Sequence, residues 1–255
     1  MSDISYPAPA GATRGYLAVP AGDGPWPAVV VIMDAFGMSG DLRQQCDRLA
    51  TNGYLALAPD LYSWGSKINC IRATFLALRR GSGRAFQDID AARIWLASRK
   101  DCTAHVGVIG FCMGGGFALL VAPRGGFAAS SVNYGQVPKD AEEKLLGSCP
   151  VVASYGARDR SLKGHAQRLE ESLQNLGVDH DIKEYSTVGH GFMNHHGGAL
   201  GALTSSFDMR YDSASAEDSW RRILAFFEEH LGADAPARWN AQPAPPGDEV
   251  GHGRA

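Results

Sequence analysis

The chain has 255 residues, 45% of them hydrophobic, and a formal net charge of −3. That length suits one large α/β domain with a substantial core, and that charge gives no reason to expect nucleic acid or an anionic membrane as partner. Five cysteines, at 46, 70, 102, 112 and 149, are odd in number and form no C-x-x-C pair, so they read as reduced thiols. Met1–Pro7 has neither a basic nor an apolar leader region, and no apolar run approaches the ~20 residues that span a bilayer. The expected location is the cytoplasm.

Residues 1–26 are rich in Pro, Gly and Ala, with an edge strand expected at Thr13–Val19. Pro27–Met33 reads as a central strand and ends at Asp34-Ala35-Phe36-Gly37. A helix over Asp41–Asn52 places Leu42, Cys46, Leu49 and Ala50 on one face and stops at Gly53. Tyr54–Ala58 is a second buried strand. Ile71–Arg80 reads as a short basic helix, and Phe86–Arg99 as an amphipathic one with Ile89, Ala92, Ile94, Trp95 and Leu96 on its apolar side. His105–Ile109, Phe127–Val132, Pro150–Tyr155 and His180–Tyr185 are four more strands. Helices are expected near Lys139–Leu146, at Gly164–Leu176 and at Ser215–Leu231. Strands alternating with helices at this spacing predict an α/β fold with a mainly parallel sheet flanked by helices on both faces. Residues 1–232 form one domain in this reading. The Ala/Pro/Gly-rich segment 233–255 is expected to be a flexible tail.

The chemistry gathers at Gly110-Phe111-Cys112-Met113-Gly114-Gly115-Gly116, between a β-branched strand and a run of helix formers. A strand, a tight glycine-flanked turn and a helix place Cys112 on a nucleophile elbow, G-x-S-x-G with sulfur in place of oxygen. The helix N-terminus that follows favours a thiolate and an oxyanion. Two ordinary readings compete: a cysteine buried as a small hydrophobe, and a dinucleotide-binding turn. The second fails, because the spacing is not G-x-G-x-x-G and 121–136 holds no acidic residue for a ribose. The first yields only if an acid and a base follow in order. Asp159 follows the strand ending at Tyr155, and His190 follows the strand ending at Tyr185. Nucleophile, acid, histidine is the chain order of an α/β-hydrolase triad, with Asp159 setting the tautomer of His190. His190, His195 and His196 raise the question of a metal, but they make no i, i+4 face and lack acidic or cysteine neighbours. No metal or cofactor is expected.

With these residues in place, the chain resembles the dienelactone hydrolase family of α/β-hydrolases from about residue 14 to 231. Gly110–Gly115, Gly156-x-x-Asp159 and Gly189-His190-x-Phe192 carry the resemblance, supported by Asp34–Gly37 and Ala58-Pro59-Asp60-Leu61-Tyr62. It implies a cysteine hydrolase acting on a small ester or lactone through an acyl-enzyme. By carry-over Cys112 attacks, His190 is the base, Asp159 orients it, and the backbone N–H groups of Met113 and Ala35 hold the oxyanion. Asp34 stands where the family has a glutamate that gates ionisation of the thiol, and is one methylene shorter. Members that cleave dienelactone bind its carboxylate with two arginines, one of them four residues past the histidine. Here that position is Asn194, and Arg72 is the nearest candidate for the other. An asparagine makes no charge-assisted fork, so a neutral substrate is expected, in a pocket rimmed by Phe36, Trp64 and Phe192. The alternatives are a catalytically weak ligand-binding protein or a thiol redox sensor on the same fold. Neither of them needs an oriented base.

Overall fold

β-Branched side chains crowd Val29–Ile32 because both faces of that strand are covered. In the computed structural model, which describes residues 1–195 and 209–233, they lie in β3 (Trp26–Ile32), fully buried from Ala28 to Ile32. The other strands are β1 (Ser2–Tyr6), β2 (Thr13–Ala18), β4 (Leu55–Pro59), β5 (Cys102–Phe111), β6 (Ala129–Asn133), β7 (Val151–Gly156) and β8 (His180–Tyr185). They form one eight-stranded sheet in the order β1-β2-β4-β3-β5-β6-β7-β8. β2 pairs antiparallel with β1 and β4, and every other pairing is parallel.

The helices among the described residues are α1 (Gly40–Thr51), α2 (Lys67–Arg80), α3 (Arg84–Ala97), α4 (Met113–Val121), the single turn α5 (Ala141–Lys144), α6 (His165–Asn175) and α7 (Ser213–Leu231). The alternation of β8 shows how they divide. Asp181 and Lys183 reach Arg222 and Asp218 of α7, whereas His180 reaches Glu170 of α6. Successive side chains of a strand point to opposite faces, so α6 and α7 lie on opposite sides of the sheet. α7 shares its side with α1, through the Arg48–Glu217 ion pair and the Tyr54–Phe227 ring contact. α3 and α4 meet at Phe86 and Phe117, with ring centroids 4.9 Å apart. Trp220, Ile223, Phe227 and Leu231 of α7 are buried, each contributing roughly 1.5–3 kcal/mol of transfer free energy.

Three expectations change. Thr13–Ala18 is not an edge: β1 lies outside it. β1 is held by its backbone ladder and by the Tyr6 hydroxyl, which donates to the Asp88 carbonyl at 3.0 Å, and four of its five side chains are not buried. Such a strand leaves no hydrophobic pattern to read. α2 starts at Lys67, a turn before Ile71, with Ser66 as its N-cap residue, and ends at Gly81 in the left-handed region (φ 70°). Ile94 is 53% exposed. At ~100° per residue it lies about 140° around α3 from Ile89, away from the stripe formed by Ile89, Ala92 and Leu96. The segment expected to be a tail, 233–255, lies outside the described residues apart from its first position.

Candidate active site

The parallel strands deliver their C-terminal ends to one rim, where open α/β sheets build their sites. β3 leads into Asp34, β5 into Cys112, β7 into Asp159 and β8 into the loop that carries His190. Between β5 and α4 the backbone turns at Cys112 with φ 54° and ψ −113°. A non-glycine residue there stores strain on the order of 1–3 kcal/mol. The glycines on either side permit the turn. A Cβ on Gly110 would lie 2.0 Å from the Gly114 carbonyl oxygen, and one on Gly114 would lie 2.3 Å from that of Ile32. The Cys112 N–H donates to the Asn133 carbonyl at 3.0 Å, which ties the elbow to β6. Met113 is the first residue of α4, so its N–H precedes the helix's own acceptors.

Asp159 is 7% exposed. Its Oδ1 accepts the Ser161 N–H at 2.9 Å and the Ser161 hydroxyl at 2.6 Å, while Oδ2 meets His190 Nδ1 at 2.5 Å. Cys112 lies near enough to the same imidazole to act on its charge. Burial acts most strongly on His190 and lowers its pKa. The hydrogen bond to Asp159 and the influence of Cys112 outweigh it and push the pKa up to about 10. Burial also acts most strongly on Asp159, raising it, but the hydrogen bonds from His190 and Ser161 hold it below the usual carboxylate range. His190 and Asp159 thus form a direct pair, with Cys112 part of the imidazole's electrostatic surroundings.

The loop after β3 holds Asp34, Ala35 and Phe36 at the same rim. Asp34 is 6% exposed, and its Oδ1 accepts the Phe36 N–H at 2.8 Å. Tyr62 donates its hydroxyl to the Ala35 carbonyl at 3.3 Å and touches Met113 Sδ at 3.8 Å. The peptide that follows Ala35 is therefore held at its carbonyl by Tyr62 and at its N–H by Asp34. Burial pushes the Tyr62 hydroxyl pKa up, with further contributions from the charges of Asp34 and Cys112. Phe36 is partly exposed on this rim.

The expected substrate-binding side chains are placed differently. Phe192 is fully buried and packs its ring on Tyr134 and Tyr185 at 5.6 and 5.2 Å, as core rather than rim. Asn194 is 4% exposed and spends both ends of its amide inside the protein: Tyr134 donates to its Oδ1, and its Nδ2 donates to Asp41 Oδ2 at 2.6 Å. Trp64 turns to α3, where Arg84 stacks on its ring at 4.9 Å. It lines a half-open cleft of about 210 Å³ with Thr74, Ala77 and Arg80. Arg72 is exposed on α2, and among the described residues no hydrogen bond or ion pair ties it to the site.

Tyr134 is the residue that sequence reasoning missed. It is 1% exposed, has φ 41°, and sets its ring edge-on to His190 at 5.2 Å. The available signal was Asn133-Tyr134-Gly135 at the end of β6, the rim loop given no role. His195 stacks on Tyr211 at 4.9 Å, and His196 lies outside the described residues. Asp179, Glu229 and His230 have ligand atoms within 4.8 Å of one another, but they sit where β8 begins, at the far end of the sheet. His230 Nε2 is 3.2 Å from Asp179 Oδ2, the distance of an ordinary ion pair. Among the described residues no helix is long and apolar enough to cross a membrane.

Comparison with known proteins bears on this geometry. The model of the dienelactone hydrolase family matches residues 13–231. A Yersinia pestis protein with the provisional name carboxymethylenebutenolidase is 29% identical over 233 residues, covering 84% of this chain and 83% of its own. The crystal structure of a provisionally named dienelactone hydrolase from Klebsiella pneumoniae superposes with a TM-score of 0.73 at 27% identity, over 89% of this chain and 98% of that one. A dienelactone hydrolase-like promiscuous phosphotriesterase from metagenomic libraries shares the fold, with a TM-score of 0.74 at 22% identity, over 91% and 98% of the two chains.

Proposed function

The chain belongs to the dienelactone hydrolase family, an ester-cleaving family on the α/β-hydrolase fold, and from that premise we propose that it hydrolyses a small ester or lactone through Cys112, His190 and Asp159. The observation that carries the reading is the His190–Asp159 pair, at 2.5 Å through Nδ1, on the same rim as the strained elbow that presents Cys112. In this reading the Cys112 thiol proton has already passed to His190, and Cys112 Sγ attacks the carbonyl carbon as a thiolate beside the imidazolium. The tetrahedral oxyanion lies against the N–H groups of Met113 and Ala35, an arrangement worth several kcal/mol at the transition state. Collapse breaks the C–O bond, and His190 returns its proton to the departing alkoxide. The product of this half is a thioester on Cys112. Water then attacks the thioester, His190 takes a proton from it, and the C–S bond breaks to release the acid and regenerate the thiol.

Asp159 holds the imidazole in the tautomer these steps need. Asp34, one methylene shorter than the family glutamate and buried beside Phe36, is the carboxylate that would gate the thiol in this reading. With Asn194 turned inward, position 194 offers a substrate carboxylate no cation, which supports a neutral ester or lactone as substrate. A ligand-binding or redox role would leave the His190–Asp159 pair without a purpose.

The test is a panel of p-nitrophenyl esters and lactones, with and without an appended carboxylate. Wild type should turn over the neutral members faster, and Cys112→Ala should lose at least ~10³-fold in kcat at unchanged Tm. Wild-type turnover by Cys112→Ala would end the proposal.

A further inference from the structure

We propose that Tyr134 is a positioning residue for His190, held in place by a buried chain that runs through Asn194 to the carboxylate of Asp41. The inference rests on the triad reading above and deepens it. Fixing Nδ1 on Asp159 leaves an imidazole free to tilt about that bond. The edge of Tyr134, 5.2 Å from the His190 ring centroid at an interplanar angle of 63°, closes that freedom from one side. Tyr134 has little freedom of its own. Its backbone sits at φ 41°, its N–H donates to the Ser154 carbonyl at 2.8 Å, and its hydroxyl donates to Asn194 Oδ1.

The chain ends on a buried charge. Asp41, 8% exposed in the first turn of α1, accepts from Asn194 Nδ2 at 2.6 Å and from the His195 N–H at 2.8 Å, and lies 3.4 and 3.5 Å from Gln45 Nε2. Gln45 also donates to the Met193 carbonyl at 3.3 Å. An aspartate at that position would serve a helix N-terminus from the surface, yet this one is turned into the protein and its oxygens receive the loop behind His190. A buried carboxylate with several donors holds its neighbours in a single arrangement, because any other leaves charge unpaired. The loop carrying His190 is thereby fastened at both ends: at Arg158, whose N–H donates to the Val188 carbonyl at 3.0 Å, and at α1. Asp41 and Tyr134 are joined here through Asn194, which makes the chain testable as a unit.

The experiment compares Tyr134→Phe, Asp41→Asn, their double variant and His190→Ala, measuring kcat, KM, Tm and the downfield proton NMR resonance of His190 Nδ1–H. Tyr134→Phe keeps the ring and removes its anchor, so kcat should fall about tenfold with KM nearly unchanged, the size of loss expected from a slightly misplaced catalytic group. The resonance should shift. Asp41→Asn should produce the same changes, and the double variant should lose little more than either single one. A role confined to stability would lower Tm while leaving kcat and the resonance as in wild type, and that result would overturn the proposal. Losses that multiply in the double variant would also overturn it, since the two residues would then act separately. If Tyr134→Phe does not fold, Asn194→Ala tests the same link with the same readouts. His190→Ala separates the two levels: wild-type activity there would bring down the triad and this inference together. An inactive His190→Ala beside an unaffected Tyr134→Phe would remove the positioning role alone.

Discussion

His190 carries its environment in its titration. The pKa of an ordinary histidine is 6.5, and here it is pushed up to about 10 against the opposing influence of burial. A group whose pKa rises on folding stabilises the native state fully below its unfolded pKa and loses that contribution as pH climbs through its folded one. The Tm advantage of wild type over His190→Gln should therefore be widest below about 6.5 and should close, by several degrees, toward pH 10. Asp159 adds the opposite limb: its lowered pKa contributes stability that disappears as pH falls below the usual carboxylate range. A Tm gap that stays flat between pH 6.5 and 10 would contradict an imidazole held charged by Asp159 and Cys112. Cys112, Asp159 and His190 were legible because each follows a strand and a glycine-marked turn. Asn194 was legible only as a position in a motif. Its burial depends on Asp41, 153 residues earlier, and no local pattern announces that pairing.

At the scale of elements, the elbow joins two strands by contact of bare backbone. Gly114 lies so close to the end of β3 that an added Cβ would meet the Ile32 and Met33 carbonyl oxygens at 2.3 and 2.7 Å. Neither oxygen can swing aside as the tip of a side chain would. Gly114→Ala should cost at least ~3 kcal/mol or prevent folding, by overpacking against main chain. Gly40→Ala, in the first turn of α1 with nothing within 4 Å of its added Cβ, should stay within about 0.5 kcal/mol of wild type or gain slightly. Urea unfolding of the two variants side by side measures the contrast, and equal costs would refute it. The elbow was readable from spacing because sterics dictate glycine at those positions. β1 was not, since a strand that shows most of its side chains to solvent owes its place to a partner strand. Ile94 misled for the complementary reason: an apolar residue on the outer face of α3 looks in sequence like one on the inner face.

On the scale of the whole molecule, the sheet keeps its chemistry at one rim and part of its fastening elsewhere. Arg222 of α7 donates Nε to Asp181 Oδ2 at 2.9 Å and one Nη to the Asp181 carbonyl at 2.8 Å. It also reaches the Ala153 carbonyl at 3.3 Å and Ser154 Oγ at 3.2 Å, so one side chain binds α7 across β7 and β8. Lysine cannot reproduce that fork. Arg222→Lys should lower stability by ~1.5–3 kcal/mol while kcat at 25 °C stays within twofold of wild type, as thermal unfolding and ester turnover would reveal together. A large fall in kcat at full folding would mean that α7 reaches the chemistry after all. The position of α7 in the chain also matters during synthesis. A ribosome releases β5, β6 and β7 well before Trp220, Ile223, Phe227 and Leu231 exist to cover them. For that interval the nascent sheet shows water an apolar face with the elbow cysteine already in place. A message truncated ahead of codon 213 therefore encodes a sticky, chaperone-dependent product, not a smaller enzyme.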